Sequence, residues 1–498
     1  MDRRGPYTQS RNQYSPLARR VPGDDTATTI ASQVVPDMED FMKINCEIRK
    51  PASQTWISRV LWLFALSLML NAASSAQDAV TEWNLNAEKA ILASPTVIGS
   101  GAAAARVYVL MHVAIFDAVN GIERRHTPYH VDATAPRGAS RRAAAIAAAY
   151  NTLLALFPSQ QSTLDGELSS SAASLSADED PGDSQSIDRG LAWGQQVAND
   201  VQAWRSNDGF NTVLPPVTGG LAPGQWRPTP PAFQSMATPQ VATMMPYVIA
   251  SPSQFRPAGP PALNSAQYAA DFNETKALGS TTSSTRTAEQ TLIANYWAGN
   301  SAISWNRVAS SLAIARHTTL SENARLFALM NLAMGDASIA GWDSKLQFMS
   351  WRPVTAIRLA DSLNPDTLAD PNWKPLLVTP RHPEYVSAHA IFSSASAGVL
   401  AAYFGDDTTF SLESVSLPGV FRTYNSFSSA LDEITLARIY AGFHFRSACV
   451  DGRSMGTAIA QYVFENVAQP NHGERRGQVR HDHPEGDSLS VENAGPEN

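Results

Sequence analysis

The stretch Asp343-Ser-Lys-Leu-Gln-Phe-Met-Ser-Trp-Arg-Pro353 places two cations close to each other and beside a proline. Lys345 and Arg352 are separated by about two helical turns, so on a continuous helix both side chains would project from nearly the same face. Pro353 lacks an amide donor and disfavours helical geometry in the residue before it. The pattern therefore predicts a helix that carries both cations and ends at Pro353.

Two later segments add groups that suit the same chemistry: Pro383-Glu-Tyr-Val-Ser-Ala-His389 and Ala437-Arg-Ile-Tyr-Ala-Gly-Phe-His444. Guanidinium groups bind two oxygens of an oxyanion at once, a lysine adds a point charge, and imidazoles exchange protons near neutrality. A helix that begins just after Ser387 would add free amide donors. Gly442 offers a break that lets Arg438 and His444 converge. We therefore predict a site for a tetrahedral oxyanion, built from Lys345, Arg352, Ser387, His389, Arg438 and His444.

The composition is that of a globular protein with a sizeable core: 498 residues, 44% hydrophobic and 16% charged. A formal net charge of −8 argues against nucleic acid as the main partner, because a phosphate backbone attracts a basic surface. The two cysteines, Cys46 and Cys449, give neither a disulfide framework nor the spacing of a metal site.

Helical periodicity dominates from Trp83 onward and predicts an all-α protein made of helical bundles. The expected helices cover 102–122, 141–157, 185–204, 265–277, 287–298, 303–316, 321–351, 387–401, 428–440 and 452–467. Ser321 is the expected cap of the helix that carries Lys345. A proline- and glycine-rich connection separates an N-terminal helical bundle from a C-terminal helical domain that carries the site. The predicted divisions are 1–41 (polar extension), 42–76 (signal peptide), 77–206 (first bundle), 207–262 (connection), 263–468 (second domain) and 469–498 (mobile tail).

The signal peptide is predicted from basic residues that precede the apolar run 60–70 and from the small residues that end at Ala76. We expect translation to begin at Met42, cleavage near Ala76 and export of the mature chain. An uncleaved segment would instead anchor the protein to a membrane. No hydrophobic segment after Ala76 is expected to be long enough to span a bilayer.

The order Lys-x6-Arg-Pro, then Ser-x-His, then Arg-x5-His resembles the vanadium-dependent haloperoxidase and type 2 phosphatidic acid phosphatase (PAP2) superfamily. The neighbouring residues Trp351-Arg-Pro-Val-Thr-Ala-Ile357 and His382-Pro-Glu-Tyr385 resemble its bacterial haloperoxidase-like subgroup. The chain departs from the family pattern at four positions. Val386 stands for proline, Ala388 for glycine, Ala437 for serine and Ala448 for aspartate.

The resemblance implies a vanadate cofactor, with phosphate able to occupy the same site. It makes His444 the residue that bonds vanadium or phosphorus, and His389 the acid–base group. The anion would be held by Lys345, Arg352, Ser387, the Ala388 amide and Arg438, with Lys345 also polarising the oxidant. The family's aspartate would orient the bonding histidine. Because Ala448 holds that position here, Asp432, Glu433 and Asp451 are the candidates to replace it.

Three functions remain open from the sequence. A haloperoxidase would use hydrogen peroxide to oxidise a halide, which then halogenates a small organic substrate. A phosphatase would cleave a phosphate ester through a phosphohistidine on His444. A non-catalytic member would bind an anion without turnover. The long chain with its additional N-terminal helices favours the haloperoxidase.

Overall fold

The computed structural model describes residues 78–98, 100–175, 184–360, 362 and 364–471. The predicted extension, signal peptide and start at Met42 lie outside these residues, as does the tail from His472 onward. The helices are α1 Ala79–Leu92, α2 Pro95–Ile98, α3 Gly101–Glu123, α4 Arg141–Leu156, α5 Gln161–Ala173, α6 Ser184–Arg205, α7 Ala266–Leu278, α8 Ala288–Tyr296, α9 Ser301–Arg316, α10 Leu320–Phe348, α11 Pro353–Leu359, α12 Ala388–Phe404, α13 Phe427–Tyr440 and α14 Arg446–Asn466.

The all-α prediction is confirmed, and most expected helices lie within a few residues of observed ones. Helix α14 begins six residues earlier than expected, and α1, α2, α5 and α11 were not among the expected helices. Short 3-10 turns occur at Pro158–Gln160 and Pro239–Thr243. The segment after α12, for which no helix was expected, contains the strand β1 (Phe410–Glu413). It pairs antiparallel with β2 (Phe421–Tyr424), with Phe410 opposite Tyr424. This hairpin is the only sheet in the described part of the chain.

Helix α10 forms the centre of the core and delivers Lys345 to the site. Its cap is Thr319, not the expected Ser321: the Thr319 hydroxyl accepts from the Glu322 amide while the Glu322 carboxylate accepts from the Thr319 amide. This reciprocal pair satisfies donors that the first helical turn leaves free. From Phe327 to Trp342 every residue of α10 is buried, because α3, α12 and α14 surround it.

The expectation that no later helix is long and apolar enough to cross a bilayer was wrong. Helix α3 passes that test with 23 residues and a mean hydropathy of 1.6. Its most apolar window is 94% buried within the protein, so α3 serves here as a core helix. A helix that is hydrophobic on all sides satisfies length and composition criteria whether it is surrounded by lipid or by protein.

Two glycines allow the closest helix contacts. A Cβ at Gly456 of α14 would lie 2.4 Å from the Ile391 carbonyl oxygen of α12, and one at Gly194 of α6 would lie 2.1 Å from the Ala144 carbonyl oxygen of α4. Neither position has room for a side chain. The first contact brings α14 against the beginning of α12, where the predicted Ser387 and His389 lie.

Two buried carboxylates fix connections between helices through backbone amides. Asp117 accepts from Tyr129, His130 and Val131 at 2.9 Å each. Asp336 of α10 accepts from residues 247–249 at 2.7–2.9 Å. The second set ties the proline-rich connection to the core. The domain boundaries stay a prediction. Of the tail, residues 469 and 471 are hydrogen-bonded to the turn at 125–127.

Candidate active site

Lys345 and Arg352 do not share a helix, which corrects the first sequence prediction. Helix α10 ends at Phe348 with Met349 in the left-handed region, and an extended link leads to Arg352. Arg352 is the N-cap of α11, and Pro353 is the first residue of that helix. Proline is favoured at a first helical position because its missing donor is not needed there. Pro353 therefore begins a helix where we expected one to end.

A cavity of about 230 Å³ brings four of the predicted residues together: Ala388, His389, Arg438 and His444. Trp342, His382 and Phe392 also line it. Lys345, Arg352 and Ser387 lie fully buried, behind this lining. Gly101 and residues 298–301 contribute to the wall as well, so the beginning of α3, in the N-terminal half of the chain, helps to form the cavity.

His444 is held between a carboxylate and a cation. Its Nδ1 lies 2.9 Å from Glu384 Oε1, and its Nε2 lies 3.1 Å from Arg352 Nη1. A guanidinium only donates, so Nε2 carries the lone pair and Nδ1 carries the proton. Burial and the neighbouring Arg352 hold the pKa of His444 well below 6.5, which keeps the ring neutral. An imidazole in this state offers Nε2 as a ligand or nucleophile.

Glu384 is the carboxylate that sequence reasoning missed. Its Oε1 accepts from both His444 Nδ1 and the Phe445 amide, at 2.9 and 3.0 Å. Burial raises the pKa of Glu384 to about 7, while Arg352 acts in the opposite direction. We take Glu384 to be ionised, because the nearby Arg352 and Lys345 charges favour the carboxylate and both hydrogen bonds at Oε1 come from donors.

The three carboxylates proposed from the sequence as partners of His444 lie elsewhere. Asp432 pairs with Arg453, and Asp451 accepts from the Tyr385 hydroxyl at 2.7 Å. Glu433 accepts from Trp297, Arg422 and Tyr424. The prediction that one of them supports His444 was wrong, because each lies against other partners.

The two arginines of the site differ in how many of their donors are used. Arg352 donates to the His382 and Phe443 carbonyls at 2.8 and 2.9 Å, and to His382 Nδ1 at 2.9 Å. Among the described residues, Arg438 donates only through Nη1, to the Trp297 carbonyl at 2.8 Å, and its buried Nε finds no partner. Burial lowers the pKa of Arg352 to about 9 and that of Arg438 to about 10. Both remain charged at neutral pH.

Lys345 is directed to the backbone of the segment before α12. Its Nζ donates to the carbonyls of Pro383 and Glu384 at 2.9 and 3.2 Å, and to that of Val386. Burial and Arg352 lower its pKa well below 10.5. Three acceptors nevertheless require three hydrogens, so the geometry favours the ammonium form. Here Lys345 fixes the segment that carries Glu384 and adds positive charge behind the cavity.

Two more imidazoles face the cavity. His389 Nε2 lies 3.0 Å from the Gly299 carbonyl, to which it donates, so His389 Nδ1 is the basic nitrogen. His382, which the sequence analysis did not single out, presents Nδ1 to Arg352 and packs 5.2 Å from the Trp342 ring centre. Burial lowers the pKa of both histidines well below 6.5. His382 lies seven positions before His389, and no spacing rule marks it.

The beginning of α12 adds backbone donors to the cavity. Ser387 is the N-cap, but its side chain does not cap the helix. Its buried Oγ lies beside the Cys449 thiol and accepts or donates no other hydrogen bond within the described part of the chain. The first-turn amides, beginning at Ala388, therefore remain available as donors toward an anion.

The charge balance suits an anion with more than one negative charge. Lys345, Arg352 and Arg438 are buried, and the buried carboxylate whose charge acts on Lys345 and Arg352 is that of Glu384, which bonds His444. An excess of buried positive charge is costly unless an anion compensates for it. The unpartnered Arg438 Nε, the uncapped start of α12 and the lone pair of His444 Nε2 fit a tetrahedral oxyanion such as vanadate or phosphate.

The fold and this cavity define a helical-bundle protein with buried cations and histidines whose arrangement suits an oxyanion, and known proteins are similar to it. Residues 325–473, which contain all the predicted site residues, match the family described as the VCPO second helical-bundle domain. A stretch of 90 residues is 37% identical to the vanadium chloroperoxidase of Curvularia inaequalis. That match covers 16% of this chain and 14% of the relative, a small part of its length.

Solved structures match over most of the chain. A bacterial vanadium-dependent iodoperoxidase has a TM-score of 0.64 and 25% identity, covering 79% of this chain and 97% of that one. The apo form of a bacterial vanadium-dependent chloroperoxidase has a TM-score of 0.61 and 19% identity, covering 75% and 95%, and shows the fold alone. Together these matches support the resemblance to the vanadium haloperoxidase and PAP2-like superfamily that the sequence motifs predicted.

Proposed function

We propose that the protein is a vanadate-dependent haloperoxidase that uses hydrogen peroxide to oxidise a halide, with a small organic molecule as the halogen acceptor. The observation that carries the proposal is the state of His444. Glu384 holds the Nδ1 proton, and the lone pair of Nε2 faces a buried guanidinium. When bound, vanadate would supply the Lewis acid that activates peroxide.

The chain's own residues would bind the cofactor and move protons. Arg352, Arg438 and the first amides of α12 would neutralise its oxygens, and His444 Nε2 would be its protein ligand. The basic Nδ1 of His389 would take a proton from peroxide and return it later. Trp342 and Phe392 stack with ring centres 6.0 Å apart and give the cavity an apolar wall that limits water.

The test is bromination of a phenolic dye by the purified protein with peroxide and bromide, with and without orthovanadate. Bromination only with vanadate supports the proposal, and His444→Ala should abolish it. Asp432→Asn is a matched control, because Asp432 bonds Arg453 rather than a residue of the site. Vanadate-dependent turnover that survives His444→Ala would refute the assignment of His444.

A phosphatase is the second candidate, because the same oriented Nε2 can attack phosphorus and His389 can protonate the leaving alcohol. Hydrolysis of p-nitrophenyl phosphate that orthovanadate inhibits, without bromination, would replace our proposal with this one. Absence of both activities, together with measurable phosphate binding, would indicate a non-catalytic anion-binding protein.

We also propose that the chain is exported by the signal peptide at residues 42–76. Sequencing the N-terminus of the mature protein should find a start near Gln77. A mature protein that retains residues 1–60 would contradict both the start at Met42 and the cleavage.

A further inference from the structure

A second cavity, of about 260 Å³, lies on another side of Glu384. It is lined by the link after α10, the beginnings of α7 and α14, and residues 260–263 of the proline-rich connection. Its volume is that of roughly nine water molecules, enough for a small organic molecule. None of its lining residues lines the oxyanion cavity.

Aromatic side chains form much of its wall. Tyr268 and Phe445 pack edge to face with centroids 5.7 Å apart, and Phe348 and Tyr385 do the same at 5.3 Å. Trp351 completes the set, and its Nε1 is buried without a partner. Ring faces carry negative partial charge and attract cations, above all in places from which water is excluded.

Glu384 contributes the one carboxylate oxygen of this wall that the described chain leaves without a hydrogen bond. Its Oε1 is used by His444 and Phe445, and no donor from the described residues reaches Oε2. The side chain is 2% exposed. Asp271, the other acid in the wall, accepts from Gln267 with Oδ1 and from Ser447 with Oδ2. Because Glu384 lines the cavity and no described residue donates to Oε2, an occupant that donates a hydrogen bond would satisfy this oxygen.

We propose that this cavity binds a small organic ammonium ion, with its nitrogen at Glu384 Oε2 and its apolar part against the aromatic wall. No lysine, arginine or histidine lines the cavity. Lys345 and Arg352 lie near Glu384, but none of their described hydrogen bonds is to Glu384 Oε2. These bonds are accepted by His382, by backbone carbonyls within residues 383–386, by Phe443 and by His444. A neutral apolar occupant would leave Oε2 without a donor. The proposal does not depend on vanadate or on halide chemistry.

The test is isothermal titration of the full chain, without vanadate, with 2-phenylethylammonium and with its neutral counterpart 2-phenylethanol. We expect the ammonium ion to bind at least about tenfold more tightly, from the charge-assisted bond and the ring faces. Glu384→Gln should bring the two ligands to similar affinities.

Two variants that fill the cavity test its location. Ala448→Leu and Leu263→Trp, on opposite walls, should each weaken ammonium binding by about tenfold or more. Ala458→Leu, on the same helix as Ala448 but outside the lining, is the matched control and should leave it unchanged. Thermal unfolding of each variant shows whether it is folded, and either folded filler suffices. Equal affinity for the two ligands, or binding that a folded filler does not change, would overturn the proposal.

Discussion

Replacing Glu384 by glutamine should weaken vanadate binding by about 10- to 30-fold. The amide keeps the size of the side chain and an acceptor for His444 Nδ1, but it removes the charge. A hydrogen bond to a charged group contributes about 1.5–3 kcal/mol and a neutral one about 0.5–1.5 kcal/mol. The bond to His444 would therefore lose about 1–1.5 kcal/mol. Loosening of the second bond, to the Phe445 amide, would bring the loss to about 2 kcal/mol, which is about 30-fold.

The assay is titration of the vanadate-free protein with orthovanadate by calorimetry, repeated with phosphate. Changes in residues that support a metal-bound histidine typically cost about 10–100-fold in affinity, which agrees with this value. Asp432→Asn removes one carboxylate charge from a surface ion pair and should leave vanadate affinity unchanged. If Glu384→Gln binds vanadate as tightly as the unchanged protein, Glu384 does not determine the proton position on His444.

Three further changes test the cavity and the core. Arg438→Met should abolish oxyanion binding yet raise the melting temperature by a few degrees. The change removes a charge whose burial costs about 3 kcal/mol and loses one hydrogen bond of about 1 kcal/mol. A lower melting temperature would contradict this. Asp336→Asn should lower the free energy of unfolding by about 2–4 kcal/mol in denaturant titrations, since the amides of residues 248 and 249 lose their acceptor. Asp343→Asn, in a partly exposed ion pair, is the control. Burial raises the pKa of Cys449 to about 12, so at pH 9 its thiolate is about a thousandth of the population. In a Cys46→Ser background, iodoacetamide should therefore label Cys449 only after unfolding. Rapid labelling of the folded protein would refute this.

Local sequence signals predicted most of the helices but not the connections between them. Helix bounds follow from apolar periodicity and caps, so α9 and α13 were expected within two residues of where they begin and end. The break between Lys345 and Arg352 was missed because Pro353 suits a first helical position as well as a position after a helix. The hairpin of β1 and β2 was missed because strands of four residues are too short to show alternation.

The support of His444 shows why the remainder of the site could not be predicted from spacing. In the family that this chain resembles, the orienting aspartate comes four residues after the histidine, and Ala448 holds that position here. In the structure the carboxylate of Glu384, 60 positions earlier in the chain, accepts a hydrogen bond from the same imidazole. Lys345 donates to the backbone carbonyl of Glu384 and so holds this segment in place. A carboxylate can thus supply the hydrogen bond to Nδ1 from another sequence position, because that bond depends on the position of the carboxylate in space. Ala448 in turn lines the second cavity. The family has an acid at this position, and the small side chain of alanine here leaves space beside Glu384. The absence of a motif residue is therefore evidence against a working site only when no neighbour in space supplies the same group from elsewhere in the sequence.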